Sequence, residues 1–349
     1  MLRLNWQTWL FMVSAIIVGV ILALGLLAIL GSGVLQEFAA DAFAAIPGGV
    51  WFLVFVIAAM AAGWLFKTVM TLVSPRGIAK EMRTAPLTAS FGMLMILIYI
   101  VVAVFAPLIA PYPETQIVGR EFQPWDGEHW LGTDTLGRDM LSRMIFAARN
   151  TVGIAFATTA LAFLIGSILG LLAATVGGWL DQVLSRAVDA LMAIPSLIFQ
   201  LLLLTIFGTS IVTLILVIAV IDSTRVYRLA RAVAVNIVVM DYIEAAKLRG
   251  EGKWHLITRE ILPNALAPLV AEFGLRFCFV FLAISALSFL GLGLQPPMAD
   301  WGSMVKENAT LISFGDITPL LPAGAIALLT VSVNFVVDWQ LHRASGLKE

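Results

Sequence analysis

Apolar runs of about 20 residues recur along this 349-residue chain, and they decide what it can fold into. They fall near residues 9–30, 50–73, 87–110, 151–177, 187–208, 210–232, 265–290 and 318–338. At about 1.5 Å per helical residue, each can cross about 30 Å of hydrocarbon. Within hydrocarbon every backbone N–H and C=O must find a partner inside the protein, which selects helix for runs of this length. The chain therefore reads as an all-α integral membrane protein of about eight transmembrane helices. Composition agrees: 12% of residues are charged and mean hydropathy is +0.98, against roughly 25% charged in a soluble domain.

The same composition removes several function classes. A net charge of −1 gives no electrostatic reason to bind nucleic acid. The single cysteine, Cys278, can form neither an internal disulfide nor a thiolate cluster, and His129, His255 and His342 lie far apart in sequence. HExxH, GxSxG and the nucleotide-binding G-x-x-x-x-G-K-[ST] are absent. The nearest approach to the last, Gly250-Glu251-Gly252-Lys253-Trp254, lacks the hydroxyl residue and the earlier glycine. No nucleotide hydrolysis is expected of this chain.

Lysine and arginine placement orients the helices. Arg76, Lys80 and Arg83 crowd the link between the second and third spans, whereas the loop around Glu37 and Asp41 has no basic residue. Both termini are then cytoplasmic. The first run, 9–30, exceeds a signal-peptide core and reads as a retained helix. Residues 1–75 form an N-terminal transmembrane hairpin, 76–85 a cytoplasmic linker, 86–340 the main body and 341–349 a cytoplasmic tail. Two readings stand for the hairpin: an accessory packed on the bundle, or an anchor with no mechanistic part.

The third cytoplasmic loop, 241–264, is chemically distinctive. Asp241 and Glu244 have capping-box spacing, which predicts the start of a short helix. Ala245 and Ala246 offer no bulk, Gly250 can end the helix in a left-handed conformation, and a second helical stretch through Trp254 and Leu256-Ile257 is expected to run to Pro263. On chemistry alone this is a helix for a protein partner or an amphipathic helix on lipid.

Glu244-Ala245-Ala246, Gly250 and Leu262-Pro263 together resemble the EAA loop of binding-protein-dependent ABC import permeases. Further segments resemble the dipeptide/oligopeptide/nickel-type branch, in its C-type subunit. They are Leu131-Gly132-Thr133-Asp134 through Arg143, Asp189 with Pro195-Ser196, and Leu287-Ser288-Phe289-Leu290-Gly291-Leu292-Gly293 with Gln295-Pro296-Pro297 and Trp301-Gly302. The resemblance covers 86–340. It implies a six-helix type I importer permease core, to which the N-terminal hairpin is an addition. Glu244, Ala245, Ala246, Gly250, Leu262 and Pro263 are then the residues that couple to an ATPase. Implied partners are a second homologous permease, two ATPase subunits, a periplasmic or extracellular substrate-binding protein and the lipid bilayer, with no nucleic acid. This chain would carry no cofactor, ATP and Mg being bound by the ATPase subunits. The implied place is a bacterial or archaeal cytoplasmic membrane, and the implied cargo is short peptides or a related small solute.

The sequence departs from the family pattern at Asp222–Arg225, in place of a tryptophan-containing segment, and near Ile284-Ser285, in place of a glutamate. Charges inside spans cost roughly 2.5–3.5 kcal/mol on insertion scales and need a partner or a wet cavity. Glu272 and Arg276, spaced i, i+4, and Asp222 with Arg225 therefore read either as lining for a translocation path or as internal ion pairs. Asp134, Arg138, Asp139 and Arg143 have spacings that place charges on adjacent helical faces, and read as a structural network in the external loop beneath a docking site. The competing function is an ion- or proton-coupled secondary transporter relaying through Asp189, Asp222, Glu272 and Asp338. It would call for internal repeats, which the sequence lacks.

Overall fold

The computed structural model describes residues 48–314 and 316–344, so the span expected at 9–30 lies outside the described residues. Helices are α1 (Gly48–Val73), α2 (Arg76–Thr84), α3 (Leu87–Ile109), α4 (Met140–Val176), α5 (Gly178–Met192), α6 (Ser196–Phe207), α7 (Ile211–Val238), α8 (Asp241–Leu248), α9 (Lys253–His255), α10 (Leu262–Leu290), α11 (Trp301–Asn308) and α12 (Leu320–Ala344). A π-helical turn, Leu256–Ile261, joins α9 to α10, and a 3-10 segment, Ala309–Phe314, follows α11.

Among the described residues five helices are long and apolar enough to cross a membrane, or six if a bent pair counts as one span. That falls short of the eight expected, for identifiable reasons. The run 210–232 is α7, whose Asp222, Arg225 and Arg228 take it out of a count by apolarity. The run 187–208 is broken: α5 and α6 meet at 88°. The break falls at Ala193-Ile194-Pro195, where proline denies its predecessor the helical region. With 12 residues, α6 is about 18 Å long and cannot cross the hydrocarbon alone.

The chain divides into two compact units, one holding the described residues up to Asn150 with Pro297–Trp339, the other Thr151–Pro296 with the described residues from Gln340. In the first unit Phe66 and Met70 of α1, Met82 of α2 and Leu94 of α3 share one apolar core, so α1 and α2 pack onto the main body. The Lys67 ammonium donates to the carbonyl of Ala85, 2.6 Å away, at the C-terminal end of α2. There it meets the negative pole of the helix. Tyr99 of α3 donates to the carbonyl of Ala325 in α12 at 2.8 Å. Trp301, fully buried, donates to the carbonyl of Met144 at 3.2 Å and meets the Tyr99 ring edge-on at 5.6 Å.

The second unit is built on α7. A β-carbon at Gly166 of α4 would lie 2.5 Å from the carbonyl oxygen of Ser223 and 2.6 Å from the β-carbon of Val226. One at Gly170 would lie 2.7 Å from the carbonyl oxygen of Tyr227 and 2.9 Å from the β-carbon of Ala230. These two glycines, four apart, let α4 and α7 touch backbone to backbone. From α5, Asp181 receives both a Nε and a Nη2 hydrogen bond from Arg231 at 2.5 and 2.6 Å. Asp189 pairs with Arg228 at 2.5 Å on an exposed face.

Candidate functional site

The 241–264 loop folds around a small apolar cluster of the second unit, Leu171, Ala234, Ile243, Ile257 and Ile261. Helix α8 begins at Asp241 as expected, but no capping box forms. Met240 is the N-cap, without a side-chain bond, and Asp241 and Glu244 sit in the first turn. Their charges favour that end through the helix dipole instead. The C-terminus is a Schellman motif: Gly250, at φ +81°, donates to Lys247 O at 3.0 Å, and Glu251 donates to Ala246 O at 3.2 Å.

Burial separates the two faces of α8. Ile243 and Ala246 are fully buried against the cluster, while Glu244, Ala245, Lys247 and Leu248 point away from it. Ala246 thus serves the packing within this chain, and only Ala245 offers the small outward face expected of both. Leu248 is 85% exposed and Trp254 66%, whereas Leu256 and Ile257 are buried. The second helical stretch does not stop at Pro263. The π-turn leads into α10 through Leu262, half-buried, and Pro263, exposed. Proline sits there inside a continuous helical run, directly after the Leu262 N–H closes the π-turn onto Ile257 O. Its missing N–H falls where the bonding pattern changes from i→i−5 to i→i−4. Asn264 Nδ2 donates to Glu260 O at 2.7 Å and secures the junction.

Asp222, Arg225, Glu272 and Arg276 come together between α7 and α10. Arg276 pairs with Glu272 at 2.6 Å and with Asp222 at 3.9 Å, and its guanidinium lies 4.7 Å from the centre of the Phe279 ring. Arg225 Nη1 donates to the same Asp222 oxygen at 3.2 Å. The four charges sum to zero, and Asp222, with a side chain 3% exposed, is the shared centre. Asp189, the other relay candidate of this unit, is exposed and engaged with Arg228.

Asp134, Arg138, Asp139 and Arg143 also form one buried cluster, in the first unit, but not on helical faces. Residues 117–139 are a folded loop pinned by bridges Ile117–Arg138 and Thr133–Asp139, and only Arg143 lies in α4. Asp134 accepts from Arg138 Nε at 2.7 Å, from Arg143 Nη1, and from the backbone N–H groups of Leu136 and Arg138 at 2.8 and 2.9 Å. Asp139 caps α4, accepting from the Ser142 N–H and hydroxyl at 2.8 and 2.6 Å. Glu307 of α11 completes the set, 2.8 Å from Arg143 Nη1.

At the edge of this loop, Asp126 accepts from the His129 and Glu128 backbone N–H groups and the Gln123 amide. The His129 bond first, then Gln123, hold its carboxyl below the ordinary 3.8. A depressed folded value means that the turn's stabilisation is complete above the ordinary pKa and is lost as pH falls through the folded one. Hydrogen exchange across residues 123–132, corrected for intrinsic rate, should accelerate only below about pH 3.8. Asp126→Asn should remove that pH step; its persistence would assign the step to another group.

Comparison with known proteins decides the family. Residues 162–344, more than half of the chain, match the family described as "binding-protein-dependent transport system inner membrane component". The chain belongs to this family. Residues 88–124 of the permease match the N-terminal transmembrane domain of oligopeptide transport permease C. A dipeptide transport system permease protein of Alkalihalophilus pseudofirmus is 35% identical over 77% of this permease and 88% of its own length. A probable D,D-dipeptide transport system permease protein of Escherichia coli is 32% identical over 74% and 86%. A glutathione transport system permease protein of Pectobacterium atrosepticum is 30% identical over 70% and 82%. One chain of a solved amino acid ABC transporter aligns at 18% identity with a TM-score of 0.44, over 58% of this permease and 94% of that chain. The permease is thus a multi-pass membrane component of an ABC transport system, a family distinct from the ATPases that drive such systems.

Two features of the permease have a weaker trace in its sequence. Gly166 and Gly170 carry the small-xxx-small signal of close helix pairs, inside a run that otherwise reads only as apolar. Glu307 has no such signal, since its partner Arg143 is 164 residues away.

Proposed function

We propose that this permease, with a second homologous permease, forms the translocation path of an importer for short peptides. Two ATPase subunits would bind ATP and Mg, a substrate-binding protein outside the membrane would deliver the cargo, and both termini would be cytoplasmic. The observation that supports this best is α8. It is locked from beneath by Ile243 and Ala246 and presents Glu244, Ala245 and Leu248 outward, as a rigid knob for a protein groove would. Closure of the ATPase pair would draw this knob, and with it α10, toward the partner and so switch the side to which the path opens. Peptide cargo is favoured because the dipeptide, D,D-dipeptide and glutathione permeases among its relatives are named for peptide substrates.

The test is peptide-stimulated ATP hydrolysis and uptake by the assembled complex. Gly250→Pro places a residue fixed near φ −65° where +81° is required and removes the N–H that bonds Lys247. Glu244→Lys reverses the charge on the outward face. Both should lower stimulated turnover by about 5–150-fold, the usual range of a coupling free energy, while the permease still assembles. Turnover at the unaltered rate in both variants would sink the coupling role.

A further inference from the structure

A cavity of about 380 Å³ opens where the α5–α6 break faces α7. Its polar lining comes from Ser196, Thr224 and Arg225, and its apolar walls include Leu191, Met192 and Ile221. That volume falls within the range of sites for small organic ligands. Depth can be counted from the Gly208–Ser210 turn joining α6 to α7. Ser196 lies about 18 Å along α6 from this turn and Arg225 about 21 Å along α7, both inside a roughly 30 Å hydrocarbon layer and past its midpoint. An arginine held at that depth without full burial is a functional-site candidate in its own right.

The local charge pattern says what the cavity takes. Both acids of the cluster are engaged by cations: Glu272 by Arg276, and Asp222 by Arg276 and Arg225. Arg276 is ion-paired with these two acids, lies beside the Phe279 ring and is 12% exposed; its buried Nε makes no hydrogen bond among the described residues, but it does not line the cavity. Arg225 differs. One of its nitrogens, Nη1, donates to Asp222, and among the described residues the other two make no hydrogen bond. Its side chain is 38% exposed. The Ser196 hydroxyl likewise has no hydrogen-bond partner among the described residues. The donors left over in this cavity are therefore a guanidinium edge and a hydroxyl, a match for a planar carboxylate.

We infer that Arg225 recognises the carboxylate of the cargo in transit, with Asp222 as the positioning residue that holds the guanidinium toward the cavity. This rests on the peptide reading above, and the cargo group it names is the terminal carboxylate of a short peptide. The apolar walls leave room for a neighbouring side chain without a second charged group, so the site reads the end of the peptide rather than its sequence.

Binding of labelled alanyl-phenylalanine and of its C-terminal amide to the purified permease–ATPase complex, without binding protein, tests this directly. The wild-type complex should hold the acid on the order of tenfold more tightly than the amide, the worth of one charge-assisted pair. Arg225→Gln should bring that ratio close to one. Arg225→Lys, which keeps the charge but not the fork, should retain part of it and serves if the glutamine variant does not assemble. A merely structural arginine would weaken acid and amide alike and leave the ratio unchanged, which overturns the inference. So does equal binding of both, or of neither, by the wild-type complex. Uptake of alanyl-phenylalanine with binding protein present judges the peptide reading separately: uptake without acid preference removes only the role of Arg225, and no uptake removes the peptide reading.

Discussion

Asp134→Ala is expected to destabilise the permease by about 3–5 kcal/mol, the cost of breaking a buried ion cluster by removing one partner. Asp134 is fully buried and is the acceptor for two arginines and two backbone N–H groups. Arg143 is 1% exposed, and its buried Nε has no hydrogen-bond partner among the described residues. With Asp134 gone, only the partly exposed Glu307 would face both guanidinium groups. The thermal midpoint of the detergent-solubilised protein, followed by tryptophan fluorescence, gives the readout. Asp134→Asn keeps an oxygen for the Leu136 and Arg138 N–H groups and loses only the charge, so it should fall between alanine and wild type. An alanine variant that melts with the wild type would show that water reaches the arginines and that the cluster is not buried in the working protein.

A leucine at Gly166 or Gly170 should be the most damaging change within the second unit. Glycine is about 1 kcal/mol worse than alanine in a helix interior, so an added side chain brings a gain in propensity. Against it stand β-carbon positions 2.5–2.9 Å from α7, several of them backbone. Backbone cannot swing aside as a side chain can, so α4 and α7 must separate. Overpacking of this kind costs about 1–3 kcal/mol for small additions and more for large ones. The separation would also pull Ser223 and Val226, which flank Arg225, from their seats. Gly166→Ala should lower the thermal midpoint measurably, and Gly166→Leu should abolish the monodisperse peak in size-exclusion chromatography. A monodisperse leucine variant with wild-type melting would mean that the two helices are not in register as described.

The runs of apolar residues made most spans legible, since length and hydropathy measure the property the bilayer selects. They are blind to direction. The run 187–208 looks continuous in composition, yet Pro195 turns the chain by 88° within it. The charges of 134–143 were visible as a set, but their spacing suggested helical faces where turns and bridges hold them, because side-chain spacing alone does not reveal backbone form. Asp241 and Glu244 satisfied a capping pattern that the chain leaves unused, since Met240 takes the cap position. The pairing of Arg225 and Arg276 through Asp222 joins two helices some 50 residues apart, and nothing local announces it.

The π-turn at Leu256–Ile261 fixes an angular setting. A helix advances about 100° per residue, so the turn determines how α10 is rotated relative to the loop beneath it. Ile257 and Ile261 of the turn key onto Ile243 of α8, and Ala265 and Leu269, at successive steps of four, meet Ala230 of α7. Loop and span therefore form a single shaft, Lys253–Leu290, of 38 residues. Glu272 and Arg276 ride on it like the bit of a key, facing Asp222 only at this phase. Twist applied at the loop would reach them as a change of bearing, so the charge cluster is set, tooth by tooth, by a wide turn three helical turns below it.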